Sequence, residues 1–90
     1  MLLATVVGTI VATCKDPRLV SYKLLIARLM DPRGKAEVGY LVAVNSVDAG
    51  VGETVLIVSG SSARMASGMK DWPVDAAIVG IVDNIEVNEP

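Results

Sequence analysis

Ser67-Gly-Met-Lys70 is the one stretch of this chain whose hydroxyl and amine stand at the spacing of an acylating centre. In such a centre the serine oxygen attacks a carbonyl while a lysine relieves it of its proton. Four residues with two free positions make a weak signal, and the companion motifs of those enzymes are missing, so a solvated loop is the better reading. The chain has no histidine, which removes Ser-His-Asp and Cys-His catalysis and every imidazole metal site. Gly50-Val-Gly52 lacks the third glycine of a dinucleotide loop and precedes a strand-like run, so it reads as a tight turn needing positive φ. The carboxylate pairs Asp71/Asp75 and Glu86/Glu89 lie in polar or terminal stretches and read as solubilising charge. No catalytic residue, cofactor-binding residue or metal ligand set is expected, and the chain does not read as an enzyme.

One loop does look selected. Gly60-Ser-Ser-Ala-Arg64 combines small residues that let backbones approach with a planar, permanently charged fork. It reads either as a capped helical turn with a surface cation, or as a loop in which Gly60, Ser61, Ser62 and Arg64 meet their copies around a symmetry axis. Trp72, just before Pro73, suits a local core or interface plug. Arg28 falls inside a strand-like run, facing solvent or a neighbour, and Cys14 reads as a small half-buried residue.

The chain that must carry these residues has 90 positions, room for a single domain over 1–90. A chain this short hides only about 60–65% of its unfolded surface. Yet 52% of its residues are hydrophobic and its mean hydropathy is +0.54. That excess implies a closed barrel, with part of its apolar surface covered by sister subunits. Aromatics make up only 3%, so the apolar mass is Val, Ile, Leu and Ala, which suits a pleated surface. A net charge of −2 argues against a nucleic-acid partner, whose phosphates need clustered Lys and Arg. The lone cysteine allows no internal disulfide and fits a reducing compartment. Met1 to Ala12 lacks a basic leader and is too short to span a bilayer, so it reads as a strand and no membrane partner is expected.

Period-two alternation over 2–13 places Leu2, Ala4, Val6, Gly8, Ile10 and Ala12 on one face, with Thr5, Thr9 and Thr13 on the other. Further strands are expected over 22–30, 38–47, 53–58 and 76–87, with a turn at Asp31-Pro-Arg-Gly34 and a bulge or sharp coil at Gly80. A single helical turn is expected over 63–66, capped by Ser61 or Ser62 and stopped by Gly68. Five such strands with one short helical turn between the fourth and fifth predict an all-β, five-stranded OB-like Greek-key barrel, since an open sheet would expose apolar edges.

Nearly the whole chain resembles the EutN/CcmL family of bacterial microcompartment shell vertex proteins. The resemblance is carried in order by Gly8-Thr-Ile-Val-Ala-Thr13, Lys23-Leu-Leu25, Asp31-x-x-Gly34, Val42 to Gly50, Gly52-Glu-Thr-Val-Leu56, Gly60-Ser-Ser-Ala-Arg64, and Pro73 to Asp83. It departs at Asn45 and Tyr22, where an Asp and a smaller residue are expected. The resemblance implies a homopentamer that caps the vertices of a polyhedral shell in the bacterial cytoplasm, alongside hexameric shell proteins of another fold. It places Gly60, Ser61, Ser62 and Arg64 near the subunit interface or a narrow axial pore. The alternative from another class is an OB-type module binding a small ligand or single-stranded nucleic acid, which would use a basic groove and stacking aromatics.

Overall fold

The computed structural model describes residues 1–11, 23–60 and 75–88, with the side chains of 36–38 left aside. Its five strands are β1 (Leu2–Ile10), β2 (Leu24–Met30), β3 (Ala36–Asn45), β4 (Thr54–Ser59) and β5 (Ala76–Ile81). They close into a barrel in the order β1-β2-β3-β5-β4, with β4 returning to β1. All neighbours are antiparallel except β3 and β5, which run parallel. The β3–β5 closure is short, made at Val44↔Ala77 and Asn45↔Ile78. The expected fold is therefore the observed one; the expected helical turn at 63–66 lies outside the described residues.

Five strands enclose a narrow interior, and the inward pairs show how the sequence fills it. Ala4 stands opposite Leu29 and Val55, Val6 opposite Ala27, Leu25 opposite Ala43, and Ala27 opposite Leu41. A small side chain thus meets a large one across each of these rungs, which is how a small barrel avoids both voids and overlap. Ala4, Ala27, Val55, Ile57 and Ile78 are wholly buried. Among the described residues no polar or charged side chain is buried. Among the described residues the interior is aliphatic.

Two register shifts shape the wall. In β1, Val6 pairs with Ala27 but Gly8 pairs with Ile26, so Val7 is an extra residue. The extra residue reverses the alternation. Gly8 and Ile10 therefore share the outward side of Ile26 and Leu24, and the expectation that they fall on one face with Ala4 and Val6 is corrected. A Cβ on Gly8 would lie 3.6 Å from Ile26 Cδ1, in ordinary contact. The β1 backbone at this bulge is held by the turn before β4: Gly52 N–H donates to Val6 O at 2.8 Å, and Val6 N–H to Glu53 O at 3.0 Å. In β5, Gly80 pairs with Leu56 while Ile78 pairs with Ile57, leaving Val79 extra. The irregularity expected at Gly80 is there.

The turns follow from local chemistry. Asp31 Oδ1 accepts from the N–H groups of Arg33 and Lys35, both at 2.9 Å, and its own carbonyl accepts from Gly34 N–H. Gly34 sits at φ +86°, which suits a residue without Cβ. After β3, Asn45 uses both ends of its amide: Oδ1 accepts from Ala49 N–H at 3.0 Å, and Nδ2 donates to Ala49 O at 2.9 Å. Ser46 Oγ donates to Ile78 O, tying the end of β3 to β5. Gly52, at φ +94°, meets the expectation of a positive-φ turn; Asp48, at φ +61°, is a left-handed residue the sequence did not announce.

Candidate subunit interface

The outer wall is where the chain carries its surplus apolar surface. Cross-strand pairing orders it into rows. Ile10 of β1 and Leu24 of β2 form one, which ends at the buried Val44 of β3; Gly8, Ile26 and Val42 form the next. Thr5, Arg28 and Tyr40 form a third, extended by Thr54 of β4. Tyr40 is 66% exposed and Val42 45%, while Leu24, Ile26 and Ile10 are half-buried. A mixed aromatic and aliphatic patch on the outside of the barrel makes this wall the candidate surface for meeting another protein.

Arg28 points outward in the third row, half-buried between Thr5 and Tyr40. Thr5 Oγ1 donates to Met30 Sδ at 3.3 Å, which fixes the methionine beside it. Arg28 makes no ion pair among the described residues.

Gly60 stands at the end of β4 with φ +65°, exposed, and its N–H donates to Asp75 O at 2.8 Å. That bond holds the two ends of the β4–β5 connection together. Ser61, Ser62 and Arg64, the remainder of the loop expected at the axis, lie outside the described residues. So do Cys14, Tyr22, Ser67, Lys70, Asp71, Trp72 and Glu89.

An open depression of about 210 Å³ lies against β4, lined by Thr54, Val82, Asp83, Asn84 and Ile85. It is smaller than a typical small-molecule site. Among the described residues no group of three or more Cys, Asp or Glu side chains stands close enough to hold a metal. No helix there is long and apolar enough to cross a membrane.

Past β5, Val82 N–H donates to Thr54 O at 2.8 Å, and from there to Asn88 the chain forms no sheet pairing. The sequence predicts strand as far as Val87, because Ile85 and Val87 alternate with Asn84, Glu86 and Asn88. The observed strand stops at Ile81.

Comparison with known proteins agrees with this geometry. Residues 1–83 match the family described as ethanolamine utilisation protein EutN/carboxysome. The chain is 49% identical over 90 residues to the carboxysome shell vertex protein CcmL of Nostoc, covering 99% of this chain and 89% of that one. It is 45% identical over 85 residues to the microcompartment shell vertex protein EutN of Escherichia coli, covering 94% and 90%. Among solved structures, the pentameric microcompartment shell protein GrpN of Rhodospirillum rubrum superposes with a TM-score of 0.89 at 39% identity, covering 97% of this chain and 99% of that one. With its closed five-stranded barrel and a match over most of its length, the chain belongs to the EutN/CcmL family.

Proposed function

We propose that this chain is a structural shell protein of a bacterial microcompartment, assembling into a cyclic pentamer that caps the shell's vertices. The observation that carries the reading is the apolar outer wall of Ile26, Val42 and Tyr40, set apart from the buried aliphatic cluster of the barrel. A surface of this kind, used heterologously and repeated by a closing rotation, gives a ring. The CcmL and EutN relatives are shell vertex proteins, and the GrpN structure is pentameric.

The role is geometric. A sheet of hexagons is flat, and inserting pentagons supplies the curvature that closes it. The ring would sit among hexameric shell proteins within the cytoplasm, and no chemical turnover is asked of it. Gly60, Ser61, Ser62 and Arg64 belong near the axis or the interface in this reading, where small hydroxylated residues permit close approach and could line a narrow pore. An Arg64→Ala variant is expected to weaken ring assembly while leaving the barrel folded; a ring of unchanged stability removes that assignment.

Shell closure tests the function directly. Co-expression of hexameric shell proteins with this chain should give closed polyhedra, and its omission open or elongated shells. Closed, normal shells formed without it, and with no other vertex protein present, contradict the role. Binding to single-stranded nucleic acid that weakens steeply with salt would favour the OB-type binding module instead.

A further inference from the structure

β5 is held very differently on its two flanks. Against β4 it pairs from Ala76 to Ile81, and the join is extended at both ends: Gly60 N–H donates to Asp75 O and Val82 N–H to Thr54 O, each at 2.8 Å. Against β3 it runs parallel and pairs at Val44↔Ala77 and Asn45↔Ile78 alone. Parallel pairing is also slightly weaker per residue. The remaining joins are longer and antiparallel, with β1 on β2 from Ala4 to Ile10, β2 on β3 from Leu24 to Met30, and β1 on β4 from Leu2 to Thr5. The β3–β5 seam is the shortest join in the wall.

Backbone direction shows which groups cross that seam. Because Gly60 bonds Asp75 across β4 and β5, alternation turns Ala77 towards β4, and Ala76 and Ile78 towards β3. Asn45 gives its N–H to Lys23 O at 3.0 Å, on the β2 side, so Val44 before it faces β5. Ser46 comes next, and its Oγ donates to Ile78 O. The support behind Ser46 is firm, since Asn45 is bonded to β2 through its backbone and to Ala49 through both ends of its amide. The hydroxyl thus reaches across the seam from a fixed position.

The residues that the seam covers are apolar. Ala77 and Ile78 are wholly buried, Ala76 is 9% exposed, and Ile78 belongs to the interior cluster. Opening the seam brings this stretch towards water, and every bond across it opposes that exposure.

We infer that the barrel parts along the β3–β5 seam before it unfolds elsewhere, and that the Ser46 hydroxyl is the latch holding it shut. In the parted form β5 stays on β4, and the two swing about the Leu2–Thr5 join to β1. β1, β2 and β3 remain a sheet. Such an opening is local, with a free energy below that of global unfolding.

Amide hydrogen exchange of the full chain tests it, read residue by residue by NMR at one fixed protein concentration and a series of low urea concentrations. Ala77 and Ile78 are adjacent but face opposite flanks of β5, so each is the other's control. The Ile78 amide should be protected at least about tenfold less than Ala77, and its exchange should respond only weakly to urea, as a small opening does. Ser46→Ala should speed Ile78 exchange about fivefold, the factor expected from one lost hydrogen bond. Ser46→Thr, which keeps the hydroxyl, should stay within about twofold of wild type. Protection at Ile78 equal to or above that at Ala77, with the same urea dependence, would mean that β5 leaves both neighbours together, and overturns the parting. Ile78 exchange unchanged by Ser46→Ala, or raised as much by Ser46→Thr, overturns the latch.

Discussion

Replacing Asn45 tests how the end of β3 is held. Its amide makes two short bonds to Ala49, one as acceptor at 3.0 Å and one as donor at 2.9 Å, and accepts a longer one from Val47 N–H at 3.4 Å. Ala49 is 6% exposed and belongs to the interior cluster, so its backbone groups have little water to turn to. At roughly 1 kcal/mol for each of the two short bonds, Asn45→Ala should cost about 2 kcal/mol. For a domain of this size that lowers Tm by roughly 10 °C. The same change should move a urea midpoint by about 1–2 M, since a small domain loses roughly 1–2 kcal/mol per molar urea. Asn45→Asp separates the two halves of the amide. A carboxylate keeps the bond from Ala49 N–H but cannot donate to Ala49 O, so it should lie between the alanine variant and wild type, at a cost of about 1 kcal/mol. Urea unfolding at one fixed protein concentration is the assay, because subunit association makes apparent stability depend on concentration. An alanine variant within about 0.5 kcal/mol of wild type, or an aspartate variant less stable than alanine, would refute the reasoning.

Other sites give shorter tests. Ala27 is wholly buried between Val6 and Leu41, so Ala27→Leu should overfill the barrel and cost about 1–3 kcal/mol in the same urea assay; no loss would mean the interior has spare room. Ile57→Ala should cost about 2–5 kcal/mol, because the narrow ring of strands cannot collapse onto the vacated space. Asp48 sits at φ +61°, where a β-branched side chain is strained, so Asp48→Val should lose about 1–2 kcal/mol while Asp48→Gly loses none. Gly39 is at φ +138°, and an added Cβ would lie 3.3 Å from Leu29 Cδ1; Gly39→Ala should lower Tm by several degrees, and an unchanged Tm would contradict the strain.

The barrel was legible because its signals are local. Alternating Val, Ile and Leu runs, the Asp31–Gly34 turn and the Gly80 irregularity each announce themselves in a few residues. Val7 did not. Its bulge replaces no residue type and breaks no pattern, and it lies where the Gly52–Glu53 turn bonds Val6 on one edge of β1 while β2 pairs along the other. The faces of Gly8 and Ile10 were misread for that reason. The alternation of small and large interior side chains was also out of reach, since it depends on which strands become neighbours. The overlong fifth strand was a misreading of another kind. Ile85 and Val87 carry a strand pattern, but the observed strand stops at Ile81. At the candidate interface, Gly60 was named from its loop, whereas the Tyr40, Val42 and Ile26 patch was foreseen only as an apolar excess without an address. Arg28 was read as a cation facing solvent or a neighbour, and the structure sets it on that outer wall.

The mass of the intact assembly tests the central claim most directly. Native mass spectrometry of the wild-type protein at micromolar concentration should give one dominant species at five times the 9.4 kDa chain mass. A dominant monomer or dimer under the same conditions would contradict it.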